Sequence, residues 1–328
     1  MISLPQKAVS VLARVLLLAL VGGLGLGGAT ASAAGPSVGE ITLAAGANPF
    51  FGAIGRDGSL WVTEEGAAKI ARIDSAGQLR EFRLRAGIEP YDIVAGPDGA
   101  LWFTESLGSR IGRITTDGAV REFRLPPRTE AFGLTIGADR ALWFATGGST
   151  VGIGRLTTGG ALTLRALHVG PWVTDVALGS DGALWLTQGQ SLRHEVDRIV
   201  RVGPDGKVQS FQVPTRRAYP FRIVAGPDGS LWFTEATANR IGRITPAGRF
   251  REFRLPAALA GPGGIAVGAD GALWFTGAGG VGRITQAGRI TAYPIGGSGR
   301  LLGIVARRDG SFWLVDEDAG RILHFTPG

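Results

Sequence analysis

Apolar residues in this chain alternate with small or polar ones over runs of about five positions. Each run stops at a turn pair, and the whole pattern returns about every forty residues. Alternation of this kind describes a strand with one face in a core; nothing in it repeats at helical spacing. The clearest copy is Tyr91 to Glu105 (YDIVAGPDGALWFTE), followed by Arg110 to Thr115 (RIGRIT) and Arg121 to Leu125 (REFRL). Its anchor tryptophan recurs as Trp61, Trp102, Trp143, Trp185, Trp232, Trp274 and Trp313, at spacings of 41, 41, 42, 47, 42 and 39 residues. A fixed period of this size built from short strands predicts an all-β fold, a seven-bladed β-propeller with four strands per blade.

Turn chemistry supports the division into strands. Asp98-Gly99 separates the first two strands of its repeat, and Asp117-Gly118 the last two. Glycine after aspartate suits a hairpin because it accepts positive φ without a Cβ clash. Asp57-Gly58, Asp181-Gly182, Asp228-Gly229, Asp270-Gly271 and Asp309-Gly310 repeat the first turn, and blade 3 breaks it with Asp139-Arg140. The 54 glycines are therefore turn residues of a folded domain, not a low-complexity linker. The last repeat ends after its third strand, Arg321 to Phe325, and Gly39 to Leu43 matches the missing fourth. The sequence thus predicts that the N-terminal strand completes the last blade and closes the ring, removing two open sheet edges.

Upstream of that strand, Lys7 and Arg14 precede an apolar run from Val15 to about Gly28, and Ala31-Ser-Ala33 follows. This reads as a signal peptide over residues 1–33, with a propeller domain over 34–328 exported to the cell envelope, periplasm or medium. An uncleaved anchor is the alternative; after cleavage no stable membrane span is expected. Loss of Lys7 and Arg14 lowers the formal charge from +7 to +5. The remaining basic residues recur around the ring, as Arg72, Arg113, Arg155, Arg201, Arg243 and Arg283 in the third strands. Glu81, Glu122 and Glu252 in the fourth strands are the expected cross-strand partners. Charge spread in this way builds no single basic patch, and no nucleic-acid motif accompanies it, so nucleic acid is not an expected partner. The chain has no cysteine, which excludes disulfides and thiolate metal sites. The expected state is a monomer.

Each series tryptophan follows Leu or Phe at one strand position, which fits rings packed between neighbouring blades. Trp172 stands outside the series, just before the first strand of blade 4, and is expected to face the channel mouth.

Gly96 to Glu105 with Ser109 to Ile114, and Gly226 to Glu235 with Asn239 to Ile244, resemble the virginiamycin B lyase (streptogramin lyase) propellers. The resemblance runs over essentially the whole chain after residue 33. It implies an enzyme that linearises a cyclic depsipeptide antibiotic by magnesium-assisted elimination. It also implies a catalytic blade carrying a glutamate, a histidine two residues on, and a second glutamate at the end of the Leu-Trp-Phe-Thr-Glu strand. The carboxylates would hold the metal and the histidine would take the proton.

In a propeller the start of each first strand lies on the same face as the loop between the second and third strands. That face receives Asn48, Glu89, Glu130, Trp172, Tyr219, Gly261 and Arg300. Two residues on come Phe50, Tyr91, Phe132, Thr174, Phe221, Gly263 and Leu302. These positions vary while the frame repeats, which is where a site can be written. In blade 2, Glu89 and Glu105 match the two family carboxylates and are the magnesium candidates. Tyr91 occupies the histidine position, and the neighbouring family histidine falls on Phe50 or Phe132. Tyr91 and His194 are the candidate proton acceptors, His194 because it sits in a second-to-third-strand loop about five residues longer than its counterparts. Glu64, Asp92, Glu130, Trp172, Tyr219 and Glu235 are the candidate ligand-binding residues. His324 takes the place of the repeated third-strand arginine and is expected to be structural; His168 falls near the end of blade 3's outer strand, far from the channel, and is expected on the surface.

Two functions follow. One is a secreted binding propeller that takes a small molecule or cyclic peptide at the channel mouth and lacks the lyase base. The other is a magnesium-dependent carbon–oxygen lyase, or a related lyase or lactonase.

Overall fold

The computed structural model describes residues 36–170, 172–189, 197–297 and 299–328. Residues 1–33, read above as a signal peptide, and His194 lie outside them. The chain forms seven antiparallel four-stranded sheets, each built from strands consecutive in sequence except the last. Blade 2 is representative: Pro90–Ala95, Leu101–Glu105, Arg110–Ile114 and Val120–Arg124, from first to fourth strand. The last blade is Leu301–Ala306, Phe312–Asp316 and Arg321–Thr326, completed by Ser37–Thr42 from the other end of the chain. Ser37 pairs with Thr326 and Thr42 with Arg321, and an Arg321–Glu40 ion pair at 2.8 Å fastens the closing strand. One 3-10 turn, Ala257–Leu259, is the only helical element among the described residues, and no helix there is long and apolar enough to cross a membrane.

The aspartate–glycine hairpins have three-residue loops. In blade 1 the Gly58 amide bonds the Gly55 carbonyl, the Gly55 amide bonds the Ser59 carbonyl, and Gly58 has φ +76°. Blade 3 puts Arg140 into the same left-handed position, at φ +61°. The aspartate does more than turn the chain. Asp98 Oδ1 accepts from Trp102 Nε1 at 3.0 Å, and Asp98 Oδ2 accepts from Arg113 Nε at 2.7 Å. The guanidinium also sits over the Trp102 ring, 5.9 Å from its centroid. Burial works against this carboxylate, but the bonds from Trp102 and Arg113 prevail and hold it below its usual range. The same clasp joins Asp57, Trp61 and Arg72, and its ion pair recurs in blades 3 to 6. This corrects the expected pairing: the third-strand arginines bind turn aspartates, while Glu81 and Glu122 pair with Lys69 and Arg110 at the strand starts. In blade 7 His324 replaces the arginine, and Arg307 covers the Trp313 ring instead.

The clasped rings fill the spaces between blades. Trp61 packs with Phe82 of its own blade and with Ile93, Leu101 and Phe103 of the next, and Trp102 and Trp232 make equivalent clusters. At about 25 cal/mol per Å² of apolar surface removed from water, these large buried rings dominate the packing energy. Nearer the axis, the threonine two residues after the series tryptophan ties blade to blade in blades 1, 4, 5 and 6. Thr63 donates to the Tyr91 carbonyl at 2.9 Å, Thr187 to Phe221 at 3.2 Å and Thr234 to Gly263 at 3.0 Å. These bonds fix the first strands against one another, and the first strands carry the channel residues.

Candidate functional site

Aromatic side chains from five blades close one mouth of the channel. The Phe50 and Tyr91 ring centroids are 4.8 Å apart, Tyr91 and Phe132 5.6 Å, and Phe132 and Trp172 6.3 Å. On the other side Phe51 meets Phe221 at 6.0 Å, and Phe221 stacks on Tyr219 at 6.1 Å. Most of this cluster is buried, while Trp172 and Tyr219 are half-buried at its rim. The strands bring these rings together because the aromatic position recurs at the same height in successive blades.

One residue further along the first strands, charge crosses the channel. Arg222 of blade 5 donates through Nη1 to Asp92 Oδ2 of blade 2 at 2.9 Å, and its Nε lies 3.3 Å from Asp175 Oδ2 of blade 4. Its guanidinium lies 4.0 Å from the centroid of the Phe51 ring. Asp92 also accepts the Leu134 amide at 3.0 Å, and Asp175 the Ile223 amide at 2.8 Å. Burial works to discharge Arg222, but Asp175 and Asp92 outweigh it and keep the guanidinium charged. Burial pushes Asp175 up despite the pull of Arg222. Asp92 is thus engaged in a structural ion network beneath the rings.

Tyr91 is buried, and burial pushes its phenol well above the usual tyrosine value, with Arg222 offsetting only part of the effect. A phenol so placed holds its proton at neutral pH and is a poor base.

Glu89 and Glu105 begin from adjacent backbone, since Pro90 pairs with Glu105 across the strands. Their side chains have different surroundings. Burial raises the Glu89 carboxyl, which is hydrogen-bonded by Glu65 and Ser106. Glu105 is buried under its own turn, where a methyl at Gly108 would overlap its Oε2. Burial first and Glu122 second push it up to about 7, against Arg110 and Arg85. Both Glu105 oxygens lack a hydrogen-bond partner, which by itself would suit a missing cation. Glu64 and Glu235, however, are orphaned in the same way in blades whose rim residues are Asn48 and Tyr219. The orphaning therefore belongs to the repeat. Among the described residues no three Asp, Glu or His side chains are grouped to hold a metal. Magnesium needs several convergent oxygens, and the described donors do not fit that requirement.

The remaining acids divide by depth. Glu64 and Glu235 are buried inside their blades, behind the rim. Burial and Glu81 push Glu64 up to about 7, while burial and Glu252 push Glu235 up to about 9. Glu130 stands at the rim beside Phe132, half-buried, with its Oε2 unpartnered. His168 is exposed, and His324 bonds Ser311 and Arg307 in the frame of blade 7. The sequence reading missed Phe51 and Arg222. The signal for them was present: the residue after the aromatic ring position reads Phe51, Asp92, Gly133, Asp175, Arg222, Gly264 and Gly303, with opposite charges in one layer.

The Virginiamycin B lyase family profile matches residues 36–193 and 146–328. A streptogramin B lyase structure is 31% identical, with a TM-score of 0.81, covering 89% of this chain and 98% of its own. Selenomethionine-substituted virginiamycin B lyase from Staphylococcus aureus is 32% identical, with a TM-score of 0.80, covering 89% and 99%. A catalytically inactive histidine-to-alanine variant of virginiamycin B lyase from Staphylococcus aureus, with quinupristin, is 33% identical, with a TM-score of 0.81 and the same coverage. No curated protein matches the chain. On its sequence and its seven-bladed architecture, the chain belongs to the virginiamycin B lyase family.

Proposed function

We propose that this protein is an exported binding propeller that takes a small molecule or cyclic peptide on the aromatic mouth of its channel. The observation that carries this reading is the continuous arc of rings from Trp172 through Phe132, Tyr91 and Phe50. It puts apolar rings, with Trp172 half-buried at the rim, where the family resemblance places histidines. Tyr91, in the place of the base, is a protonated phenol that packs or donates. A streptogramin B depsipeptide incubated with the protein and magnesium is expected to bind and stay closed; ring opening would overturn this reading.

Family membership favours a second reading, a carbon–oxygen lyase. Its chemistry is removal of a proton α to an ester carbonyl with loss of the ester oxygen, and the proton acceptor would then be His194 or an ionised mouth carboxylate. Ring opening without oxygen from labelled water, lost on His194→Ala, would establish it.

Export rests on the basic, apolar and small-residue order of residues 1–33. A mature N-terminus near Ala34 in exported protein is the expected result of mass spectrometry, and intact Met1 in a soluble cytoplasmic fraction would contradict it.

A further inference from the structure

Glu130 differs from every other acid near the channel. Asp92 and Asp175 share Arg222, and Glu105 feels Arg110 and Arg85. Glu89 has hydrogen bonds from Glu65 and Ser106. Glu130 forms no ion pair among the described residues, and its Oε2 is buried without a hydrogen-bond partner. Burial alone raises its carboxyl, and no basic side chain offsets it. An uncompensated carboxylate at a half-buried rim is costly unless something outside the chain completes it.

Its surroundings describe what would complete it. An ideal Cβ on Gly147 would lie 2.8 Å from Phe132 Cε2 and 3.1 Å from Glu130 Oε2, so the ring and the oxygen are within about 6 Å of each other. The glycine leaves the space between them free of a side chain. Trp172 meets Phe132 edge-on, at an interplanar angle of 63°. One lone oxygen beside an aromatic cluster is unsuited to a hard metal ion, which wants several oxygens. It suits an organic ammonium, which donates to the carboxylate and is attracted to ring faces. The channel already uses this combination one layer deeper, where Arg222 lies over Phe51 between Asp92 and Asp175.

We propose that Glu130, Phe132 and Trp172 form a subsite for the protonated amine of an apolar ligand, the ammonium bonding Glu130 Oε2 and the apolar body lying over the aromatic arc. The proposal rests on the reading that the mouth binds a ligand, and it adds that the ligand is cationic. Isothermal titration of the purified protein with 2-phenylethylamine and with its neutral counterpart 2-phenylethanol, in mildly alkaline buffer, tests it. The amine is expected to bind about tenfold more tightly, the size of a desolvated cation–aromatic contact. Glu130→Gln, which keeps the side chain's shape, should erase that preference. Trp172→Leu should weaken the amine more than the alcohol. Equal binding of amine and alcohol by the parent protein would overturn the amine subsite and leave the apolar mouth intact. A preference that survives Glu130→Gln would also overturn it, by placing the ammonium elsewhere. Failure of both probes to bind would count against the mouth as a binding surface altogether.

Discussion

Arg222 of blade 5 reaches Asp92 of blade 2 at 2.9 Å, across the channel and 130 residues away in sequence. Together with Asp175 the pair spans the interior directly under the aromatic mouth, so the channel is plugged beneath the rings by charge that the protein itself neutralises. Removing the cation leaves two carboxylates buried and unpaired. Arg222→Met should destabilise the fold by about 3–5 kcal/mol, the usual consequence of breaking a buried ion pair from one side. Urea unfolding checks this. Loss of less than about 1 kcal/mol, the worth of a surface pair, would show that water reaches the network.

Glu235 makes stability depend on pH. Burial, then Glu252, pushes its carboxyl from 4.5 up to about 9. Below the lower value the group is neutral in both the folded and the unfolded chain and costs nothing. Between the two values the unfolded chain releases the proton while the folded chain keeps it. Folding is therefore progressively disfavoured as pH rises through that window, and the penalty is constant above it. Glu235→Gln should match the parent protein near pH 4.5 and exceed its melting temperature near pH 9. Glu64 and Glu105, each pushed up to about 7, contribute in the same direction over a narrower range. A Glu235→Gln protein whose melting temperature tracks the parent's at every pH would refute this account.

Arg140 occupies a left-handed backbone position, φ +61°, that the other six blades give to glycine. A side chain there costs roughly 1–2 kcal/mol. Its own side chain is exposed, so Arg140→Gly should raise stability by about 1 kcal/mol, read by thermal or urea melting. A destabilised variant would mean that the guanidinium makes a contact worth more than the strain.

The closing strand should matter more than its size suggests. Deleting residues 37–42 removes the partner of Arg321–Thr326 and the Glu40 ion pair, and leaves a long bare edge on the last blade. The truncated protein should melt lower and self-associate on size-exclusion chromatography. A monomer of unchanged stability would show that the ring does not depend on this strand.

The frame of this fold was legible because its physics repeats. Alternation, turn glycines and a tryptophan every blade can be read without knowing any contact. The clasp was legible in principle: aspartate stands four residues before the tryptophan in all seven repeats. Aspartate before glycine is sufficient as turn chemistry, and sequence order alone offers the fourth-strand glutamate as the arginine's partner. Strand register sets Arg113 opposite Trp102 and so beside the turn. The site was legible only as a face. Which carboxylate meets which partner depends on side-chain direction: Glu89 and Glu105 start side by side, yet one engages Glu65 and Ser106 and the other turns under its own loop toward Gly108. Nothing in their spacing distinguishes those outcomes.

The bond from Arg321 to Glu40 joins groups 281 residues apart. Its donor and acceptor sit on neighbouring strands of one blade, with six whole blades between them in sequence. That pairing is the least local in the ring, so closure has to wait until the chain has looped through the other six blades. Until then the outer edge of Arg321–Thr326 presents a row of unpaired amides and carbonyls, the feature that invites aggregation or proteolysis. Joining the two distant strands in one sheet therefore makes the slowest contact of the fold the one that hides its last edge.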